Sequence, residues 1–158
     1  MAKHKPYLEA AKIFGCIVLC LLAGIIGALF TTIGPGSWYT NLVKPSFNPP
    51  NWIFAPVWTT LYVLMGISLY LALKHKTGIR AILVFLVQLL LNTFWTIIFF
   101  GYGKTGLALI EILVMWAFIL WTIILFYKKS KVAAYLLTPY LLWVTFATIL
   151  TIAIFILN

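Results

Sequence analysis

Five apolar runs, each long enough to cross a bilayer, leave this chain few ways to fold. They cover residues 13–32, 53–73, 80–100, 107–127 and 132–157, and mostly tight polar turns join them. About 20 helical residues at roughly 1.5 Å each reach across the ~30 Å of a hydrocarbon core. In lipid every backbone N–H and C=O must be satisfied internally, so such runs become helices. Because 65% of the 158 residues are hydrophobic and only 8% charged, no soluble interior of this size hides the apolar surface. The expected fold class is an all-α integral membrane protein. It is a single domain over 1–158, a five-transmembrane-helix bundle with a structured loop between helices 1 and 2. A cleaved signal peptide is not expected, since the first run is long, lacks a small-residue cleavage site and resembles the later spans.

Charge orients the bundle. Assigning the turns alternately to two sides puts Lys3, Lys5, Lys12, Lys74, Lys76, Arg80, Lys128, Lys129 and Lys131 on one side, with Lys44 and Lys104 on the other. By the positive-inside rule the N-terminus is cytoplasmic and the first loop is outside. The net charge of +9 is then read as cytoplasmic turns facing anionic lipid, and no nucleic-acid partner is expected.

The stretch 38–62 breaks the aliphatic monotony with four prolines, three tryptophans and one lysine. Pro45, Pro49 and Pro50 hold their preceding residues out of the helical region and make a stiff loop that loses little entropy on ordering. Pro56 lies near the start of the next span, where a missing N–H costs least. Gly34-Pro35-Gly36 is expected to end the first helix, and Ser37 to cap a short helix over 38–43.

Candidates for chemistry are few. Glu111 is the only acid inside a span; it lies one turn in and is either interfacial and solvated or buried. His4 and His75 lie on the basic side, away from the proline loop, and paired carboxylates, a hydrolytic triad and a metal cluster are missing from the sequence, so conventional hydrolysis and a metal site are not expected. Cys16 and Cys20, four apart, read as small apolar residues rather than a disulfide or a metal pair. Ala23, Gly24, Gly27 and Ala28 form two interleaved small-xxx-small pairs that suit either a dimer contact or packing within the bundle. Gln88 and Asn92 share a helix face with Trp95 one turn on, as glue between helices or as the polar lining of a cavity. Trp38, Trp52 and Trp116 suit an interfacial belt. Trp58, Tyr62, Trp95 and Trp143 instead suggest a flat aromatic slot beneath the loop, shaped for a planar ligand.

These pieces resemble the TspO/MBR family of tryptophan-rich sensory proteins, whose mitochondrial relatives are the translocator proteins or peripheral benzodiazepine receptors. The resemblance runs through Trp38-Tyr39, K-P-S-F-N-P-P at 44–50, Pro56-Val57-Trp58-Thr59, Leu61-Tyr62, Gln88, Asn92, Trp95, Phe99-Phe100, Glu111, Trp116, Pro139-Tyr140-Leu141, Trp143 and Phe146-Ala147. It implies a bundle that is often homodimeric, in a prokaryotic cell membrane for this chain, with one pocket lined by Gly24, Tyr39, Pro49, Trp58, Tyr62, Asn92, Trp95, Trp143 and Ala147. The implied ligands are porphyrins, haem precursors and isoquinoline- or benzodiazepine-type drugs. No cofactor is required, porphyrin being a ligand, and no histidine near the slot offers axial ligation to iron. Some members bind cholesterol, but here Ala147-Thr148-Ile149-Leu150 is followed by no tyrosine or arginine, so sterol recognition at that segment is not expected. The leading function is a membrane binding, sensing or transport protein for protoporphyrin IX and similar planar ligands. The alternatives are light-dependent porphyrin breakdown using Trp58 and Trp143, and a proton-coupled drug exporter using Glu111.

Overall fold

The computed structural model describes residues 6–158; Lys3, His4 and Lys5 lie outside the described residues. Helix α1 (Pro6–Ala28) begins earlier than the apolar run. Proline at the first helical position sacrifices no hydrogen bond, and the polar lead-in is tied down: Glu9 pairs with Lys12 at 2.9 Å and accepts the Tyr70 hydroxyl at 2.6 Å. The helix also ends before Thr32. The Thr31 hydroxyl donates to the Gly27 carbonyl at 3.3 Å, occupying an acceptor at the helix end, and Gly34-Pro35-Gly36 lies beyond that end.

A short helix α2 (Trp38–Asn41) follows. Ser37 stands at its N-cap without a side-chain cap bond; instead the Thr40 hydroxyl donates to the Ser37 carbonyl at 2.7 Å, which turns the chain after one turn of helix. Helix α3 (Asn51–Lys74) contains Pro56 in its second turn. Helix α4 (Ile79–Thr96) runs into a π-helical turn, Ile97–Gly101, a form that concentrates at functional sites. Helix α5 is Thr105–Tyr127.

The fifth span is not one helix. Helix α6 (Lys131–Leu136), capped by the Ser130 hydroxyl accepting from the Ala133 N–H, breaks at Leu137, and α7 (Thr138–Leu157) restarts with Pro139 in its first positions. Pro139 has no N–H to bond the carbonyl four residues back, so the helix cannot run on unbroken through this point. Counting α4 with its π turn and α6 with α7, five helical segments among the described residues are long and apolar enough to cross a membrane, and the protein is an integral membrane five-helix bundle.

Helix α1 packs on α3 and α4, α5 on α4 and α7, and α6 on α3 and α5. The end carrying the turns after α3 and α5, the basic end, is close-packed. Phe85 and Phe126 stack at 5.9 Å, and the Ser68 hydroxyl donates to the Ala133 carbonyl at 2.7 Å. At Gly66 a Cβ would sit 2.4 Å from the Ile17 Cα, so only glycine lets these two backbones meet. The small residues of α1 are also spent inside the bundle. Gly24 lies over the Tyr62 ring, Gly27 faces Thr96, and the Ala23 carbonyl accepts the Thr93 hydroxyl at 3.1 Å.

Candidate functional site

At the opposite end the proline loop and α2 form a roof. Tyr39, on α2, is only 2% exposed. Its hydroxyl donates to Asn48 Oδ1 at 3.2 Å, while Asn48 Nδ2 donates to the Pro49 carbonyl at 3.0 Å. Burial pushes the Tyr39 phenol above the ordinary tyrosine range, the Asn48 bond partly opposing. The Lys44 ammonium lies over the Tyr39 ring, 4.3 Å from its centre, a cation–π contact. Trp38 meets Phe99 edge-on at 5.6 Å and covers Gly103. That glycine has φ +64°, and a Cβ there would come within 2.8 Å of the indole, so both its conformation and its space demand glycine.

Beneath the roof lies a cavity of about 300 Å³, at the lower end of the usual range for small-molecule sites. Helix α1 contributes Leu21, Gly24, Ile25 and Ala28, α3 contributes Phe54, Ala55, Trp58, Thr59 and Tyr62, and α4 with its π turn contributes Trp95, Thr96 and Phe100. Tyr39 closes the top. Trp58 and Tyr62, one helical turn apart, stack with centres 5.7 Å apart and planes 29° from parallel. The π turn brings Trp95, Phe99 and Phe100 together: Trp95 stacks on Phe99 at 5.1 Å, and Phe100 meets Trp95 edge-on at 6.1 Å.

A smaller lobe of about 40 Å³ lies behind, lined by Trp143, Ala147, Leu150 and Ile154 of α7 and sharing Tyr39, Phe54, Trp58, Trp95 and Phe100 with the main cavity. Trp58 is the partition, perpendicular to Trp143 at 6.5 Å.

The nine expected pocket residues therefore divide into groups. Gly24, Tyr39, Trp58, Tyr62 and Trp95 line the main cavity, and Trp143 and Ala147 line the rear lobe. Pro49 belongs to the roof. Asn92 lies behind Tyr62, where its Oδ1 accepts the Tyr62 hydroxyl and its Nδ2 donates to the Tyr140 hydroxyl at 3.1 Å; the Tyr140 hydroxyl in turn donates to Met115 Sδ at 3.7 Å. This buried chain joins α3, α4, α7 and α5 and fixes the ring that floors the cavity. The Gln88 side chain, fully buried, has no hydrogen-bond partner among the described residues.

Glu111 is enclosed rather than interfacial. Neither carboxylate oxygen meets solvent or finds a hydrogen-bond partner among the described residues, and the residue lines neither lobe. Trp116 is not a belt residue either: midway along α5, its Nε1 donates to Thr145 Oγ1 of α7 at 2.8 Å. Trp52, 73% exposed at the start of α3, does suit the belt. Cys16 and Cys20 are free thiols.

Sequence reasoning missed Phe54, Thr96 and Phe100 as lining residues. Phe54 stands four residues before Trp58, so the helical period carried a signal. Phe100 did not, because it is the π turn that sets its direction.

Comparison with known proteins places the chain in a family. The TspO/MBR family model matches residues 16–157. The chain is 45% identical over 149 residues to the tryptophan-rich protein TspO of Chlorobaculum tepidum, covering 90% of this chain and 93% of that protein. It is 40% identical to the tryptophan-rich protein TspO of Archaeoglobus fulgidus, covering 93% and 97%. It is 37% identical to the translocator protein of Bos taurus, covering 86% and 83%. With nearly its whole length matched by the family model and by relatives of up to 45% identity, the chain belongs to the TspO/MBR family.

Proposed function

We propose that this protein binds tetrapyrroles of the protoporphyrin IX type in the cavity beneath the roof, as a membrane sensor or carrier of planar hydrophobic molecules. Family membership supports a membrane sensing or binding role. The observation that carries the finer reading is the composition of the cavity wall. Trp58, Tyr62, Trp95 and Phe100 supply aromatic surface for a flat macrocycle, while Lys44, held over Tyr39 at the roof, supplies a cation for peripheral carboxylates. The basic end is assigned to the cytoplasm, on the count of Lys12, Lys74, Lys76, Arg80, Lys128, Lys129 and Lys131 there against Lys44 and Lys104 at the roof end.

The test is titration of protoporphyrin IX into purified protein in the dark, followed by tryptophan quenching. Saturable quenching, weakened about tenfold or more in Trp58→Ala, supports the reading; quenching that never saturates, or that ignores Trp58, overturns it. Glu111→Gln is expected to leave this binding unchanged, since the carboxyl reaches neither lobe.

A second reading, light-dependent oxidation of the bound porphyrin by dioxygen, is favoured by one observation: the Trp58 and Trp143 rings lie 6.5 Å apart, Trp58 forming a wall of both lobes. Illumination of the complex should then change its porphyrin spectrum in wild type and not in Trp58→Phe or Trp143→Phe with binding retained. Equal photobleaching in all three would dismiss it.

A further inference from the structure

The cavity has two boundaries of opposite construction. Toward the roof it is fastened shut. Tyr39 is packed under Lys44 and bonded to Asn48, and the side-chain amide of Asn158 clasps the loop, its Oδ1 accepting the Val43 N–H at 3.0 Å and its Nδ2 donating to the Val43 carbonyl at 3.0 Å. Entry from water requires these bonds to break and Tyr39 to leave its burial.

Toward the side it is open. Helices α1 and α3 meet backbone to backbone at Gly66 and Ile17, and the Tyr62 ring fills the fork above that contact, under Gly24. Nearer the roof the gap is bordered by Ile25 and Ala28 on α1 and by Ala55 and Thr59 on α3, all four exposed and all four lining the cavity. The mouth is mostly apolar, with Asn51 at the start of α3 as the one amide among the cavity's lining residues. The hydroxyls of Thr31, Thr59 and Thr96 donate to the carbonyls of Gly27, Ala55 and Asn92 in their own helices, so these polar groups are already satisfied without a ligand or water. Since α1 and α3 are membrane spans, what stands outside this mouth is the hydrocarbon of the leaflet at the roof end.

We propose that the cavity is loaded sideways, through the α1–α3 fork, by a hydrophobic ligand already dissolved in that leaflet, while the roof stays closed. The proposal rests on the reading of the cavity as a ligand site, but not on the ligand being a tetrapyrrole.

The experiment follows association and dissociation of protoporphyrin IX by stopped-flow tryptophan quenching, with the protein in lipid nanodiscs and in the dark. In a Cys16→Ala, Cys20→Ala background, Val43→Cys with Asn158→Cys locks the roof by a disulfide. The oxidised lock should leave the association rate within about twofold of the reduced form, whereas Ile25→Trp in the mouth should slow association by about tenfold or more. An oxidised lock that blocks association and a reductant that restores it would overturn the proposal. Should the disulfide not form, Asn158→Ala decides: unfastening the roof must not speed association, and a faster rate overturns lateral entry. Failure of protoporphyrin IX to saturate counts against the tetrapyrrole and leaves the route to a ligand-free readout. Bimane attached at Ala55→Cys should be quenched by phospholipids with brominated chains more strongly than bimane at Val43→Cys, and equal or weaker quenching overturns the proposal.

Discussion

The two ends of the α1–α3 pair show how one bundle holds both a sealed core and a site. At the basic end the helices approach until only hydrogen fits between Gly66 and Ile17, with the Ser68 hydroxyl bonded to Ala133 and Phe85 stacked on Phe126. At the roof end Tyr62 packs under Gly24, and beyond it Trp58 and Phe54 line a cavity rather than closing the contact. With no hydrophobic drive between helices in lipid, close association depends on small residues and hydrogen bonds. Where the sequence substitutes aromatics for them, a gap opens. The position of the site is thus decided by where packing is withheld.

The largest test is to spoil the close end. Gly66→Val places atoms inside the Ile17 backbone and should destabilise the protein by about 1–3 kcal/mol or prevent assembly, read as a lowered thermal transition in detergent. An unaffected transition would mean that the helices are free to separate there and that the contrast between the ends is weaker than drawn.

Next is the polar chain beneath the cavity. Asn92→Leu leaves the buried Tyr62 hydroxyl without its acceptor and takes away the Asn92 donor to Tyr140; stranding such groups costs about 1–3 kcal/mol. Adding Tyr62→Phe should recover part of that loss while still weakening ligand binding, because the ring is no longer pinned. A double-mutant cycle measures the coupling, and strict additivity would show that the two side chains do not act as a unit.

Smaller still is the clasp. Asn158→Ala removes two bonds to Val43 and should raise amide exchange over residues 42–44, with about 1 kcal/mol of local stability lost and little change in the global transition. Exchange confined to its wild-type rate would mean that the proline loop is stiff without help.

The smallest effect is one of pH. The Tyr39 phenol is raised by burial, so its neutral form is the one the folded roof favours. That contribution is complete below the ordinary tyrosine value near 10 and is lost as pH rises through the higher folded value. Roof opening, followed by exchange or loop fluorescence, should therefore begin above about pH 10. Tyr39→Phe should remove this dependence, and an unchanged alkaline response would assign it to another group.

The sequence was most informative where a single physical rule governs many residues. Apolar run length gave the five spans, alternation of lysine and arginine separated the two ends, and X-Pro steps marked the stiff loop. Helix boundaries were less legible. Pro6 and the Glu9–Tyr70 bond extend α1 at one end, and the Thr31 hydroxyl at Gly27 shortens it at the other, through local contacts that hydropathy does not register. The site was legible in part. The four-residue spacing of Trp58 and Tyr62, and the placing of Trp95 beyond Asn92, pointed to an aromatic wall. The same spacing could not tell which polar groups face the cavity and which stand behind it.

By itself, then, the sequence determined that the chain is a five-helix membrane bundle with an aromatic, proline-stiffened end, because bilayer thickness and backbone satisfaction admit little else. Only the tertiary structure decided that Asn92 supports Tyr62 from behind, that Trp58 divides two lobes, that Glu111 is enclosed away from both, and that the cavity opens between α1 and α3. Those facts depend on how neighbouring helices are rotated and spaced against one another. That is fixed by contacts such as Gly66 on Ile17 and by the π turn at 97–101, which pair residues remote in sequence or shift a helix face without changing its hydrophobicity.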